Sequence, residues 1–341
     1  MSTNRAPFAL AAALLLAGCE GAQTSLAGDG AEGMQVIRLG ILFLAVTTLA
    51  YLLVLAFLAA AIWRRRPVGE ERDQAVGKRN RASDPPRFRT MLIGWVAFVT
   101  IGLAVLTIAS FFTDRGMAQN AAKPAISIEI TANQWWWDVE YEGSEPSRTV
   151  RTANELHLPV GVPAHITLKS NDVIHSFWVP NLAGKQDLIP GRVTDITLLP
   201  KKTGIYRAQC AEFCGVQHAH MALDVTVESR ADFTRWWNAA IQPARPPTTP
   251  LALAGYNYVT TRECRMCHNI TGTPASGRVA PDLTHFASRR SIAAGTMPMN
   301  RGNLYGWIAD PQSQKPGSKM PYIGLEPAEL HAVVAYLEGL K

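Results

Sequence analysis

Cysteine is scarce in this chain of 341 residues, which contains only five. Each of the five lies in a short motif with a chemistry of its own, so none is left over for a structural disulfide. The sequence also offers no nucleophile, general base or oxygen-binding site of its own, which argues against a self-contained catalytic centre. The cysteine and histidine motifs therefore carry most of the functional information.

Basic residues are in slight excess, but they are concentrated in one loop. Residues 64–89 hold nine Lys/Arg and four Asp/Glu, a net charge of +5, whereas the whole chain carries +6. Short basic loops stay on the cytoplasmic side of a membrane, and attraction to anionic lipid is a secondary role. The charge thus indicates topology and gives no support for a nucleic-acid partner, which needs a basic face on a folded domain.

Two long apolar runs flank this loop. Residues 37–63 would form a helix of ~40 Å and residues 91–112 one of ~33 Å, and both exceed a bilayer core of ~30 Å. They predict a transmembrane hairpin over residues 34–112. With the loop inside the cell, everything after Phe112 lies on the external, periplasmic side of a bacterial inner membrane.

Residues 1–19 have the features of an export signal. Arg5 precedes an apolar stretch over residues 8–16, and the segment Leu16-Ala17-Gly18-Cys19 resembles a bacterial lipobox. We therefore expect Cys19 to be lipidated and to become the mature N-terminus. An ordinary signal peptide, or an uncleaved helix, is the alternative.

Residues 122–240 change to a pattern of short strands. The segment 126–132 alternates apolar and polar residues, and further strand-like runs follow at 165–169, 177–179, 193–199, 204–209 and 223–227. Glycine, proline and asparagine separate the runs. Many short strands at this spacing predict a β-sandwich or barrel.

A cluster of soft metal ligands lies in the last part of this region. Cys210, Cys214, His218 and Met221 fall within twelve residues, and His175 is the best candidate for a distant ligand. Sulfur with imidazole favours copper, and a thioether argues against zinc. A disulfide, a Cys2His2 zinc site and a core role for Met221 are the alternatives.

A second motif follows a proline-rich linker at residues 241–250. Cys264-Arg265-Met266-Cys267-His268 has the spacing for a covalently attached c-type haem, with Cys264 and Cys267 forming thioethers and His268 ligating iron. The alternative, a thioredoxin-like dithiol, lacks a βαβ pattern and leaves the histidine unexplained. Residues 251–341 are therefore predicted to form a small helical haem domain.

The sixth iron ligand is predicted to be Met320. It lies 52 residues beyond His268 and just before the last helix, so the chain can circle the haem edge before it returns. Met297 and Met299 compete as loop or packing residues, and His285 competes on chemistry alone. The last helix is expected to begin at Pro327 and to bury one apolar face.

Residues 34–240 resemble subunit II of the haem–copper cytochrome c oxidases. The resemblance rests on the hairpin, the aromatic run at 134–137, the segment 187–192 and the cysteine loop, in that order. It implies a binuclear copper centre on a cupredoxin sandwich, with electron entry at Trp135. His220 neighbours the ligands but does not match the motif. The resemblance implies two bridging copper ligands, Cys210 and Cys214, and three terminal ones, His175, His218 and Met221. It also implies that Glu212 binds copper through its backbone carbonyl and that its side chain binds a magnesium ion shared with subunit I.

Residues 251–341 resemble the cytochrome domain fused to subunit II in caa-type oxidases. The expected fold is therefore a two-helix transmembrane hairpin, an all-β cupredoxin-like sandwich and a small all-α cytochrome c domain. The resemblance implies a relay from haem c through copper to subunit I, where oxygen is reduced and protons are pumped. The implied partners are subunit I, subunit III, and an external cytochrome c or a quinol–cytochrome c reductase as donor.

Two other functions remain open at the level of sequence. One is the electron-input subunit of a copper-containing nitric oxide reductase. The other is a stand-alone membrane-anchored electron carrier or copper-delivery module, against which the two spans and the buried type of ligand set argue.

Overall fold

The computed structural model describes residues 21–63, 86–121 and 125–341. The expected export signal, the lipidation of Cys19 and most of the basic loop therefore lie outside the described residues. The described chain divides into two units. One comprises residues 35–118, and the other comprises the remaining described residues.

Two long helices account for the first unit and its edges. Helix α1 spans Ala31–Trp63 and helix α2 spans Pro86–Ala121, and both are long and apolar enough to cross a membrane. A side chain added at Gly102 would lie 3.6 Å from Val46, so the helices touch. Both extend beyond the predicted runs, because an apolar run marks only the part of a helix suited to lipid while the backbone hydrogen bonds continue into polar flanks.

A sandwich of two five-stranded sheets forms the first part of the other unit. Its strands are β1 (Ile126–Asn133), β2 (Trp136–Tyr141), β3 (Val150–Ala153), β4 (Glu155–Pro159), β5 (Ala164–Ser170), β6 (His175–Trp178), β7 (Lys185–Leu188), β8 (Thr194–Leu198), β9 (Gly204–Cys210) and β10 (Ala222–Glu228). The strand orders are β3-β2-β1-β5-β8 and β4-β10-β9-β6-β7, with β1/β5 and β4/β10 parallel and the other pairs antiparallel. The predicted sandwich is thus confirmed.

The core of the sandwich follows the alternation of the sequence. Ile128 and Ile130 of β1, and Trp137 and Val139 of β2, are at most 1% exposed. Successive side chains of a strand point to opposite faces, so every second residue enters the space between the sheets. This core supplies the rigid support for the loops at the end of the sheets.

One helix and a small helical domain complete the second unit. Helix α3 (Arg230–Ala240) is capped by Ser229, whose side chain accepts a hydrogen bond from the backbone N–H of Asp232. The predicted helical domain is confirmed, and its last helix begins at Pro327 as expected. Its elements are α4 (Pro250–Thr261), α5 (Cys264–Cys267), β11 (Ser291–Ile292), β12 (Met297–Pro298), α6 (Arg301–Ala309), α7 (Pro311–Gln314) and α8 (Pro327–Leu337).

The first and last helices of this domain cross at a glycine. A side chain added at Gly255 of α4 would meet the carbonyl oxygen of Ala332 in α8 at 1.9 Å. Only glycine lets the two backbones approach so closely. Val333 and Val334 of α8 are 2% and 0% exposed and form the apolar face that the sequence predicts.

A buried ionic network crosses from the sandwich to the helical domain. The ring of His157 lies between Glu155 and Glu228, at 3.7 and 3.0 Å, and stacks on Trp236 at 4.2 Å. Arg289 of the helical domain reaches Glu155 at 3.6 Å. Burial would lower the pKa of His157, but the two carboxylates raise it to about 9.

Replacing Gly255 by alanine should destabilise the helical domain by about 3 kcal/mol, because α4 and α8 would be forced apart. Gly306→Ala is the matched control. Its nearest neighbour would be Gln314 at 3.6 Å, and a helical Gly-to-Ala change gains about 0.5–1 kcal/mol. Thermal unfolding of the purified chain, followed by circular dichroism, measures both. Equal unfolding midpoints for the two variants would contradict the close crossing.

The His157 network should make stability depend on pH. Because the folded-state pKa is raised, the stabilisation is fully present below about pH 6.5 and is lost as the pH rises through about 9. The loss amounts to ~3.5 kcal/mol, for about 2.5 pKa units at about 1.4 kcal/mol each. Unfolding midpoints of the wild type should fall over this window, whereas those of His157→Gln should stay flatter. Parallel curves for the two proteins would refute the assignment.

Candidate metal centres

Two cysteine sulfurs meet at the end of the sandwich. Cys210 is the last residue of β9, and Cys214 lies in the loop that follows. Their sulfur atoms are 3.7 Å apart, and both thiols are free. A disulfide has sulfurs about 2.05 Å apart, so the structure holds two separate thiols, close enough to share metal ions.

Two histidines flank this sulfur pair. Strand β6 pairs with β9 so that Phe177 faces Cys210, and this brings His175, at the start of β6, to the site. The Nδ1 atom of His175 lies 3.8 Å from the Cys210 sulfur, and that of His218 lies 3.7 Å from the Cys214 sulfur. Each sulfur thus has its own imidazole, although the two histidines are 43 residues apart in the chain.

The remaining predicted copper ligands lie at the two ends of this arrangement. The Met221 thioether is 4.0 Å from the Cys214 sulfur, and the carbonyl oxygen of Glu212 is 3.2 Å from the Cys210 sulfur. Met221 is fully buried, as are Cys210 and Cys214 at 1% and 3% exposure. The structure therefore brings together all the copper ligands that the sequence and the resemblance predict.

The electrostatics of the sulfur pair favour a bound cation. The neighbouring Cys214 thiol lowers the pKa of Cys210 to about 3, and His175 contributes to the lowering. The same proximity raises the pKa of Cys214, because two thiolates at this distance repel each other. A metal ion held by both sulfurs would remove that repulsion and would allow both to ionise.

A carboxylate that the sequence analysis did not single out orients His175. The Asp172 carboxylate lies 2.9 Å from Nε2 of His175, so the opposite nitrogen is directed toward the sulfurs. Burial would raise the pKa of Asp172, but His175, two backbone N–H groups and Lys319 lower it. Such a carboxylate behind a ligating histidine is typical of metal sites. Its position three residues before the histidine is the signal that could have revealed it.

Trp135 covers the cysteine loop. Its indole N–H donates to the carbonyl oxygen of Cys214 at 3.0 Å, and the side chain of Gln134 donates to the same oxygen at 2.9 Å. Strand β2 begins only at Trp136, so Trp135 lies in the turn before the strand, whereas Trp137 is fully buried in the sandwich core. The three tryptophans thus have different surroundings.

Two polar residues of the loop stay outside the sulfur cluster. The ring of His220 bonds with the side chain of Gln217 at 2.8 Å. The Glu212 carboxylate is half exposed and lies 3.4 Å from the ammonium of Lys185, which also pairs with Asp187 at 3.3 Å. The magnesium role of Glu212 stays a prediction.

The haem-attachment motif has the arrangement that covalent attachment of a c-type haem requires. Cys264 and Cys267 bound the short helix α5, and both are free and half-buried. His268 donates from Nδ1 to the carbonyl oxygen of Pro281 at 2.7 Å, which leaves Nε2 free to ligate iron. Burial lowers the pKa of His268, so the ring is held neutral. These residues fit a covalently bound c-type haem.

The candidate sixth ligands differ in their surroundings. Met297 and Met299 pack against the apolar core of the helical domain, while Met320 is half-buried outside that core. The carbonyl oxygen of Met320 accepts a hydrogen bond from Gln312 at 2.7 Å. His285 bonds through Nε2 to the carbonyl oxygen of Gln242 at 3.0 Å. The assignment of Met320 as the sixth ligand stays a prediction.

Comparison with known proteins identifies the family. Residues 142–229 match the family model of the cytochrome c oxidase subunit II periplasmic domain, and residues 252–341 match that of cytochrome c. Cytochrome c oxidase subunit 2 of Alkalihalophilus pseudofirmus is 30% identical over 96% of this chain and 94% of its own. The chain belongs to the cytochrome c oxidase subunit II family.

Other relatives carry the same name. Cytochrome c oxidase subunit 2 of a Bacillus species is 33% identical over 72% of this chain and 73% of its own. The solved periplasmic domain of cytochrome oxidase subunit II from Bradyrhizobium japonicum is 28% identical, covers 35% of this chain and 96% of that chain, and has a TM-score of 0.33. The expected resemblance to a subunit II with a fused cytochrome c domain is confirmed by the two family matches.

Membership in the subunit II family explains the order of the elements. The two long helices come first, the subunit II periplasmic match lies in the sandwich region, and the cytochrome c match covers the helical domain. The relatives are subunits of an oxidoreductase. Sequence reasoning missed two further residues of this subunit II, Asp172 and the buried Lys315, because neither belongs to a motif.

Proposed function

We propose that this chain is the electron-input subunit of a respiratory haem–copper cytochrome c oxidase. It relays electrons from a haem c through a binuclear copper centre to subunit I, where oxygen is reduced to water and protons are pumped. The domain organisation is a signal peptide at 1–19, a hairpin at 34–112, a cupredoxin domain at 122–240, a linker at 241–250 and a cytochrome c domain at 251–341. The last two folded domains lie on the periplasmic side of the inner membrane.

The donor set supports copper at the sulfur cluster. Two thiolates, two imidazoles and a thioether are soft or borderline ligands, which suit copper. Cys210, Cys214, His175, His218, Met221 and the carbonyl of Glu212 would together hold the copper. When bound, the copper centre supplies a site that accepts and passes on one electron. The surrounding strands keep the ligands in place, so little rearrangement accompanies the change of charge.

The position of Trp135 is the observation that carries the relay. One edge of its indole is bonded to the carbonyl of Cys214 at 3.0 Å. On the other side lies the loop that ends at Met320: a side chain added at Gly317 would come within 3.6 Å of the indole ring. Trp135 is only 8% exposed. It therefore connects the cysteine loop with the loop that carries the proposed iron ligand.

The surface of the cysteine loop supports a protein partner. Phe213 and Val216 are each 76% exposed, although both are apolar. Glu212, which precedes Phe213 in the chain, forms an exposed ion pair with Lys185, and Lys185 also pairs with Asp187. Exposed apolar side chains next to charged ones mark interaction surfaces. We assign this surface to subunit I, with Glu212 contributing to a magnesium site there; subunit III and an external cytochrome c or quinol–cytochrome c reductase complete the proposed partners.

The relay predicts that Trp135→Phe slows electron transfer from haem c to copper. Phenylalanine cannot donate the hydrogen bond to Cys214, and we expect the rate to fall about tenfold, the factor that corresponds to the loss of one hydrogen bond of about 1.4 kcal/mol. Flash photoreduction of the assembled oxidase measures the rate, with Trp136→Phe as the matched control. If electrons placed on the haem of the wild type never reach copper, the relay is wrong.

The copper assignment predicts different outcomes for two neighbouring histidines. His218→Asn should lose the mixed-valence copper signal in electron-spin spectra, because its Nδ1 faces the Cys214 sulfur. His220→Asn should keep that signal, because its ring bonds only Gln217 among the described residues. Metal analysis should give two coppers and one iron per wild-type chain. One zinc, or no iron, would overturn the assignment.

Partner identity separates the oxidase from the nitric oxide reductase alternative. The chain should purify with subunit I, and the complex should consume oxygen with reduced cytochrome c as donor. A complex that consumes nitric oxide and no oxygen, or a chain that purifies alone and exchanges copper readily, would favour one of the two alternatives.

A further inference from the structure

A lysine is buried between the cytochrome domain and the sandwich. Lys315 follows helix α7 and is only 2% exposed. Its ammonium donates to the carbonyl oxygens of Trp135, His220 and Ala293 at 2.9, 2.8 and 2.8 Å. An ammonium has three N–H donors, so each donor has one carbonyl partner. Lysine is almost never fully buried without partners of this kind.

Two of the three carbonyls border the sulfur cluster. Trp135 is the residue whose indole bonds to Cys214, and His220 directly precedes Met221. The same loop is closed by a hydrogen bond from the backbone N–H of Cys210 to the carbonyl oxygen of Met221 at 2.9 Å. Lys315 therefore bonds to the chain on both sides of the proposed copper site. Its acceptors there are main-chain carbonyls, which stay in place when the side chains of Trp135 and His220 rotate.

The third carbonyl belongs to a hairpin turn of the cytochrome domain. Ala293 and Ala294 have φ angles of 53° and 59°, in the left-handed region that residues other than glycine rarely adopt. The carbonyl of Ala293 meets Lys315, and that of Ala294 accepts from the backbone N–H of Ala222 at 2.9 Å. The turn thus meets the sandwich directly at Ala222, the residue that follows Met221, and Lys315 ties the same turn to the carbonyl of His220, the residue that precedes Met221.

The other cation of the same loop is placed differently. The side chain of Lys319 is 64% exposed, and it pairs with Asp172 at 3.0 Å. An exposed ion pair contributes little and is screened by salt. Gln217 adds one hydrogen bond to the carbonyl of Pro316 at 2.8 Å. Of these contacts, Lys315 alone combines a charge, near-complete burial and three partners.

We propose that Lys315 is a positioning residue that holds the loop ending at Met320 against Trp135 and thereby sets the rate of electron transfer between the two domains. The proposal rests on the relay function proposed above. Lys315 bonds to none of the proposed metal-ligand atoms, so its removal should leave the ligands of both centres intact. What changes is the fraction of time for which the two domains are docked.

The first test measures docking without relying on activity. In the assembled oxidase carrying Lys315→Met, hydrogen exchange of the Ala222 amide and of residues 293–297 should rise about tenfold, since exchange follows the free energy of local opening. Arg301→Met is the control. This substitution also removes one positive charge from the cytochrome domain, but Arg301 lies at the surface, where it pairs with Glu338 at 3.7 Å. Unchanged exchange in Lys315→Met would overturn the proposal.

The second test measures transfer itself. Lys315→Met should keep the optical spectra of both centres but pass electrons from haem to copper about tenfold more slowly, because the observed rate scales with the fraction of molecules in the docked, transfer-competent state. The rate should also fall as solvent viscosity rises, because redocking becomes limiting, whereas the wild-type rate should not. Lys315→Arg, which keeps the charge and the N–H donors, should recover part of the rate. A wild-type rate in Lys315→Met would refute positioning.

A third measurement uses the wild-type oxidase, so it can be made even if the Lys315→Met variant does not assemble. In the wild-type oxidase, acetic anhydride should modify Lys315 at least about tenfold more slowly than Lys319, because a buried amine reacts only when the interface opens. Equal labelling would overturn the docked position. If the wild type shows no transfer at all, the proposed relay fails, while labelling and exchange still report on docking by Lys315.

Discussion

The pairing of β6 with β9 is the constraint on which the rest of the site depends. It places Phe177 opposite Cys210 and so brings His175 to a sulfur that lies 35 residues away in the sequence. The backbone N–H of Ala211 donates to the carbonyl of Ser176 at 2.9 Å, which continues this contact into the loop. Because the sheet is rigid and buried, the sulfurs and imidazoles are positioned before any metal binds.

The contact between the sandwich and the cytochrome domain is the second constraint. Two buried cations lie at this contact. Lys315 lies next to the sulfur cluster, and Arg289 lies beside Glu155 at 3.6 Å. A short linker keeps the two domains at high effective concentration, and the buried cations select one orientation. Covalent fusion alone would bring the domains together, but it would not specify which faces meet.

Local chemistry was predictable where the signal lies within a few residues. The haem motif at 264–268, the apolar runs and the helix that begins at Pro327 depend on neighbours in sequence, and the structure has these elements where they were expected. Strands β2, β3, β4 and β7 were not predicted, since their short segments at 136–141, 150–153, 155–159 and 185–188 are strands only because partner strands supply their hydrogen bonds. Helix α3 was also missed, although Ser229 is a recognisable cap.

By itself, the sequence determined which chemical groups are available: five cysteines in their motifs, the histidines and methionines near them, and two apolar helices. The spacing of ligands along a loop is a local property, so it can be recognised without knowledge of the fold. Only the tertiary structure decided that Asp172 orients His175, that Trp135 lies beneath the loop ending at Met320, and that Lys315 is buried. These are contacts between segments far apart in the chain, and chain folding alone brings them within hydrogen-bonding distance.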